Sequence, residues 1–354
     1  MKKVCFYPSC QKRTNHFLFN LAKLLESSGN FQCVSYKEMK KEGSGNLFES
    51  DVYHINWFDQ SKTFFSFLKR LYFLLALKQK NKRIVWTIHN IVSHVKTPFY
   101  NKILFKLLAR FSSVIHVMCE DSLTIAHLEK YAGKVKLVPH GDYYGSYPES
   151  DLDVRKKFGI DERSPIMLFS GAIQPYKNIE VLVKAFMKAF GENENVELPV
   201  LLICGKVEPA SYEADIRNLV GNCKRIVFNP GFIPDDELSA YVKSACVMTV
   251  PYSYRSSLNS GTIPLAFSLG KTLICPDIAC VKDILKQSDC LYGYHYESES
   301  EHVEILAEKM AEAYSDFVSG KIGEKESLAV QYMARNSWES HKKEWLELYG
   351  ETSC

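Results

Sequence analysis

Short apolar runs of strand length alternate with helix-length amphipathic runs along nearly the whole chain, the pattern of a parallel sheet wrapped by helices. VCFYP opens as a strand, and NHFLFNLAKLLESSG follows with apolar residues at helical spacing and a Ser-Gly stop. The strands VYHINW, RIVWTIH and SVIHVM come next, separated by basic helical segments and followed by KVKLVPHG. A polar stretch, GDYYGSYPESDLDVRKKFGIDERSP, then breaks the rhythm. It restarts at PIMLFSG and runs through NIEVLVKAFMKAF, PVLLICG, RIVFNPG, DELSAYVKSA, CVMTVPY, GTIPLAFSLG and TLICPD. Two α/β units of similar size are therefore expected, with a boundary near residues 143–164. The closing SWESHKKEWLELYG reads as a polar amphipathic helix open to either unit. A chain of 354 residues is long enough for two cores.

Composition narrows the class. With 46% hydrophobic and 24% charged residues, the chain is of the globular kind rather than disordered or fibrous. The start, MKKVCFYPSCQKRTNHF, lacks the apolar stretch and small-residue cleavage site of a secretory signal, so a cytoplasmic protein is expected. The eleven cysteines lie mostly singly in apolar stretches, as reduced, buried residues do, and no Cys/His pairing completes a metal site. Net charge is only +3, but between Asp59 and Glu120 there is no acidic residue and eleven Lys and Arg, leaving −8 for the rest. There FFSFLKRLYFLLALKQKNKR and TPFYNKILFKLLARF interleave aromatic and aliphatic residues with cations such as Lys69, Arg70, Lys78 and Lys80. Such segments suit an anionic membrane surface, and equally two ordinary helices with solvated basic faces. They are too short and interrupted to span a bilayer, which takes about 20 apolar residues. No nucleic-acid partner is expected.

In open α/β sheets ligands sit beyond the carboxyl ends of the strands, so chemistry belongs in the loops there. After IMLFSG, Gly171 gives a tight turn and Lys177 stands just ahead of a helix, where an ammonium and unpaired N–H groups suit a phosphate. After CVMTVPY come Arg255, Asn259 and the pair Ser260–Gly261 that starts TIPLAFSLG. Arginine can grip a diphosphate bidentately, and a serine and glycine at a helix start allow close approach. The plainer readings are a surface lysine and a helix-capping serine. Because these residues leave separate strands of one sheet, they can converge on one diphosphate. No GxGxxG turn follows the first strand of either half and no GxxxxGK[ST] occurs, which argues against a dinucleotide dehydrogenase and a P-loop ATPase.

FSGAIQPYKNIEVLVKAF, GFIPDDELSAYVKSACVMTVPYS and NSGTIPLAFSLGKTLICPDI resemble successive signatures of GT-B glycosyltransferases of the family 4, or group 1, kind, and IVWTIHNIVSH followed by VPHG is similar to that group too. The resemblance spans nearly the whole chain, in the family's order. It implies an α/β GT-B fold, two Rossmann-like domains whose parallel sheets face a central cleft. An acceptor-binding domain would occupy residues 1–150 and a nucleotide-sugar domain 151–335, with 336–354 crossing back to the first. It implies a nucleotide-sugar donor and no cofactor. Carried over, Lys177 and Ser260–Gly261 hold the diphosphate, Gly231, Phe232 and Ile233 frame the nucleobase, and Lys206 lies nearby. His89 would face the donor sugar, and Arg255 joins the set by position alone. Two departures stand out. The family's arginine after the glycine is Ala172, and its paired glutamates fall near Ser257 and Leu265, which favours an inverting over a retaining reaction.

An inverting transfer needs a base for the acceptor hydroxyl. Glu120 and Asp121, which end the acid-free stretch, are the leading candidates together with His89; His16, Trp57 and Asp59 are the acceptor-side residues. Asp121 also reads as a helix cap, Trp57 as a core plug and His54 as a satisfied core histidine. No metal ligands are expected: Asp151-Leu-Asp153 sits in the linker and reads as a helix start, so the leaving diphosphate falls to cations and helix dipole. The expected activity is a transferase acting at the inner membrane face on a lipid-linked or glycan acceptor, in surface polysaccharide or glycolipid synthesis. The alternatives are an epimerase or phosphorylase of the same layout, or a non-catalytic partner subunit.

Overall fold

The computed structural model describes residues 1–12, 15–42, 47–89, 98–191, 195–253 and 257–351. The chain divides into two compact units, Met1–Gly141 with Asn336–Cys354, and Asp142–Arg335.

In the first unit the strands are β1 (Lys2–Tyr7), β2 (Phe31–Ser35), β3 (Val52–Asn56), β4 (Arg83–Thr87), β5 (Val114–Val117) and β6 (Val135–Leu137). They form one parallel sheet in the order β2-β1-β3-β4-β5-β6. Every residue of β3 and β5 is buried, as expected of strands covered on both faces. Helices α1 (His16–Ser27), α2 (Tyr36–Glu42), α3 (Phe64–Gln79), α4 (Phe99–Phe111) and α5 (Ser122–Ile125) connect them. Asn15 caps α1 by accepting from the Leu18 amide at 3.1 Å, and Phe17, Leu18, Leu21 and Leu25 form its buried stripe.

The end of the chain completes this unit. The expected fourteen-residue helix shrinks to α14 (Lys342–Leu348), because the Ser337 hydroxyl takes the Ser340 amide in a turn that competes with helix. It is less polar than its sequence suggests: Trp345, Leu348 and Tyr349 are buried in the core of the unit. A file of hydrogen bonds crosses the sheet beneath it. Tyr349 Oη lies 2.7 Å from His54 Nδ1, His54 Nε2 lies 2.6 Å from Thr87 Oγ1, and Thr87 Oγ1 lies 2.9 Å from His116 Nδ1. His116 Nε2 ends it 2.9 Å from the carbonyl of Val138. A carbonyl only accepts, so the direction of every proton follows. His116 Nε2–H donates to Val138, Thr87 to His116, His54 Nε2–H to Thr87, and Tyr349 to His54.

The second unit repeats the architecture with β7 (Ile166–Ser170), β8 (Val200–Cys204), β9 (Ile226–Asn229), β10 (Val247–Thr249), β11 (Leu273–Pro276) and β12 (Tyr292–Tyr294). All are parallel, ordered β12-β11-β10-β7-β8-β9. Its helices are α6 (Val154–Phe158), α7 (Ile179–Phe190), α8 (Ser211–Val220), α9 (Leu238–Ser244), α10 (Thr262–Ser268), α11 (Ala279–Gln287), α12 (Glu299–Val318) and α13 (Ile322–Arg335). Asp153 caps α6 by accepting from the Lys156 amide at 2.9 Å, the helix start its sequence implied. The edge strands β2 and β12 lack a clear apolar run and carry no strand signal in the sequence.

Burial holds His54 well below its usual 6.5 and brings His116 down to about 4, so both are neutral in the fold. Unfolded imidazoles take up protons below about pH 6.5. The contribution of these groups is therefore complete above that pH and is lost as pH falls toward 4. Urea midpoints of the first unit, followed by tryptophan fluorescence, should drop across that window. At pH 7.5 Tyr349→Phe should cost about 1–3 kcal/mol, and Thr87→Val more, since it strands a donor and an acceptor together.

Candidate functional site

The order of the second sheet reverses between β7 and β10, where the chain steps outward in opposite directions. Right-handed crossovers then send α7 and α10 to opposite faces, leaving a crevice at the carboxyl ends of these two strands. Both loops singled out in the sequence open there.

After β7 the backbone passes Gly171, whose carbonyl oxygen stands where a Cβ of Gly205 would sit; at φ +153 Gly205 is also in a region that favours glycine. The two loops continue side by side, with the Ile173 amide donating to Lys206 O at 2.9 Å. A single 3-10 turn, Pro175–Lys177, leads to Asn178 in the left-handed conformation at φ 56. Asn178 Nδ2 donates to Pro251 O at 2.9 Å and so ties the start of α7 to the exit of β10.

This tie sets Lys177 beside the second loop. Its Nζ lies 3.5 Å from the ring centroid of Tyr252, a cation–π contact with a buried tyrosine. Tyr252 Oη lies 3.2 Å from Thr262 Oγ1 in the first turn of α10, and Ser260 Oγ accepts from the Thr262 amide at 3.2 Å. Lys177, Tyr252, Ser260, Gly261 and Thr262 thus form one continuous group. Among the described residues no ion pair joins Lys177 to a carboxylate, and its ammonium lies against the rings of Tyr252 and Tyr176. By taking the Thr262 amide Ser260 caps the first turn of α10, as its sequence position suggested, since Gly261 after it is already helical at φ −67.

The remaining candidates divide. Lys206 is exposed and pairs with Glu208 at 2.6 Å, which offsets its charge. Phe232 is 73% exposed and presents a bare ring, whereas Ile233 belongs to the hydrophobic core. Asn259 is half-buried beside Ser260, and Arg255 lies outside the described residues. Ser257 and Leu265, where the resembled family carries glutamates, are both buried. Sequence reasoning passed over Tyr252 and Thr262. Tyrosine after a strand is commonplace, and nothing local says that a lysine 75 positions earlier will lie on its ring. Next to Asn178 and Ser253 opens a cavity of about 410 Å3, lined also by Glu180, Lys184, Tyr296 and Glu299. Tyr296 stacks on His302 at 3.8 Å, and burial brings His302 down to about 4.

In the first sheet the order reverses between β1 and β3. Asn56 bridges the reversal: its Nδ2 donates to Tyr7 O at 3.2 Å, which leaves Oδ1 to accept from His89 Nε2 at 2.8 Å. His89 stacks on Trp57 with centroids 4.1 Å apart, Phe17 meets its edge at 5.4 Å, and burial keeps it neutral. Trp57, at φ 50, is half-buried and packs against the hydrophobic core of the unit, with its ring on His89. His16 opens α1 and is buried. Burial pushes Asp59 up to about 6, opposed by its own backbone hydrogen bond and the Arg70 cation. Arg70 is held by the carbonyls of Trp57 and Phe58 at 3.2 and 2.6 Å. Glu120 is exposed. Asp121 precedes the one-turn α5 with helical φ −62 and ψ −14 and makes no side-chain cap, contrary to expectation. Helical backbone there carries the side chain away from the amides a cap would reach.

The family described as Glycosyl transferases group 1 matches residues 150–325. A D-inositol 3-phosphate glycosyltransferase of Corynebacterium efficiens is 32% identical over 156 residues, which cover 41% of this chain and 36% of that protein. A lipopolysaccharide 1,2-N-acetylglucosaminetransferase of Salmonella typhimurium is 22% identical over 59% of this chain and 54% of its own length. The chain thus spans about a third to a half of the curated relatives it matches. Anabaena HepE, solved in complex with UDP-glucose, superposes with a TM-score of 0.70 at 14% identity, covering 99% of both chains. The fold is GT-B.

If the crevice grips a diphosphate, Lys177→Ala should weaken inorganic pyrophosphate or a nucleoside diphosphate by about 1.5–3 kcal/mol in titration calorimetry. Tyr252→Leu, which removes the π-face, should weaken it more than Tyr252→Phe, which removes only the contact to Thr262.

Proposed function

We propose that this chain, a group 1 glycosyl transferase in its residues 150–325, moves a sugar from a nucleoside diphosphate to an acceptor hydroxyl by single displacement. The observation that carries the reading is the Lys177 ammonium resting on Tyr252, joined through Thr262 to Ser260. The diphosphate takes Lys177, the Ser260 hydroxyl and backbone amides of that loop. The bare ring of Phe232 offers the nucleobase a stacking face. The polar cavity beside Asn178 suits a sugar ring. HepE in complex with UDP-glucose supports a uridine donor.

On the acceptor side, the Asp59 carboxylate takes the hydroxyl proton while the oxygen bonds the anomeric carbon. The bond from that carbon to the phosphate oxygen breaks, and the nucleoside diphosphate leaves with its added charge on Lys177. Asp59 suits this task because burial pushes it up to about 6, which makes a stronger base that is still ionised at neutral pH. Neutral His89, stacked on Trp57, offers the acceptor sugar an aromatic platform. Neither Ser257 nor Leu265 supplies a carboxylate for a retaining route, which supports inversion. Charge on the leaving group is met by Lys177 and oriented amides, so no divalent ion takes part and no cofactor is used.

The acceptor is a lipid-linked or glycan molecule at the inner face of the membrane, in surface polysaccharide or glycolipid synthesis. The likeness to a lipopolysaccharide transferase and the basic, aromatic α3–α4 segment support this. Among the described residues no helix is long and apolar enough to cross a membrane.

Thermal shift against a panel of nucleotide sugars should show stabilisation by at least one, most strongly by a UDP-sugar. No stabilisation by any of them, together with an unaltered Lys177→Ala profile, would end the proposal. Asp59→Asn should lower kcat about a hundredfold or more while keeping donor affinity, and wild-type kcat/KM should rise with pH through about 6. Turnover should survive a chelator.

A further inference from the structure

Helix α3 is apolar on both sides. Phe67, Phe73, Leu74 and Leu77 are buried, while Phe65, Leu68, Tyr72 and Leu75 form an exposed stripe at spacings of three and four residues. Phe65 is 66% exposed and Tyr72 70%. Such a stripe outside a helix that already has its core face is unusual for a water-facing surface.

Helix α4 extends it. Both helices connect neighbouring strands stepping in one direction, β3 to β4 and β4 to β5, so right-handed crossovers put them on one face of the sheet. Their N-terminal ends meet on Tyr100, whose ring lies 5.9 Å from Phe64 and 5.7 Å from Phe99. Phe99 is 69% exposed, and Ile103 continues the apolar row one turn on. Phe64, Phe65 and Phe99 thus gather at one end of the face.

Cations lie among these rings. Lys69 Nζ sits 4.4 Å from the centroid of Phe65, and Lys62, Lys102 and Lys106 are exposed nearby along the two helices. No acidic residue occurs between Asp59 and Glu120 to offset them. Arg70 does not belong to this face, since carbonyls of Trp57 and Phe58 hold it.

We propose that the outer face of α3 and α4 docks on an anionic lipid bilayer, with Phe64, Phe65 and Phe99 entering the interface and Lys69, Lys102 and Lys106 meeting headgroups. Apolar rings interleaved with cations match a layer whose hydrocarbon lies just beneath negative charge. A second copy of the chain fits poorly, because face against face would set cation against cation without a carboxylate between. As a function, this docking rests on the membrane-held acceptor proposed above; as a binding event it is measured alone.

The test is cosedimentation of the full chain with phosphatidylcholine vesicles, with and without phosphatidylglycerol. Binding should require phosphatidylglycerol and weaken with salt. Lys69→Gln, Lys102→Gln and Lys106→Gln together should lower partitioning about a hundredfold. Phe65→Ser with Phe99→Ser should lower it at least tenfold, with the melting temperature unchanged. In Phe65→Trp the new indole should be quenched by brominated lipid. Failure of wild-type to bind, or binding indifferent to both sets of substitutions, overturns the proposal. So does a concentration-dependent dimer abolished by the double serine variant, which would make the face a self-association surface. A UDP-induced thermal shift separates the two readings. If it persists without vesicle binding, only the docking falls; if vesicles bind and no nucleotide shifts the melt, only the transferase reading falls.

Discussion

A parallel sheet with helices on both faces has to reverse its winding somewhere, and at the reversal no helix covers the strand ends. In the second unit that place is the β7–β10 boundary. Everything assembled for the candidate donor site depends on it. The crevice brings the loops after two strands within reach of each other and lets one amide side chain, Asn178, fasten them by a single bond to Pro251. Once fastened, the lysine ahead of α7 has a tyrosine ring beneath it and a helix start beside it. An ammonium parked on a π-face gives up little when a phosphate arrives, because an aromatic ring holds a cation less tightly than a carboxylate would.

The first unit uses the same geometry for a different end. Its reversal lies between β1 and β3, and Asn56 spans it as Asn178 spans the other. Here the strand ends carry aromatic surface and a carboxyl raised by burial. Beneath them the sheet is crossed by a one-way file of hydrogen bonds from Tyr349 to Val138. Two fully buried histidines are tolerable only because both ring nitrogens of each are satisfied in the neutral state. The file also explains why the last residues of the chain belong with its first strands: without Tyr349, His54 would lose its donor.

Charge is separated along the chain in the same spirit. The cationic stretch from 60 to 119 contributes α3 and α4, whose outer side holds apolar rings that no other described element covers. Net charge near zero conceals this, because the acidic remainder balances it in the sum but not in space.

The amino-acid sequence alone determined the two α/β units and their parallel sheets, because apolar periodicity is a local property that survives without contacts. It also carried Lys177 and Ser260, whose places beside helix starts are readable from neighbours a few residues away. Only the tertiary structure decided that Tyr252 and Thr262 join them, that Lys206 is paired with Glu208, and that Ile233 packs inward while Phe232 faces out. It likewise decided that burial raises the Asp59 carboxyl above its usual range. The reason is the same in each case. Which ring lies under a cation, and how much water a carboxyl keeps, are set by segments distant in the chain that meet only when the sheets form.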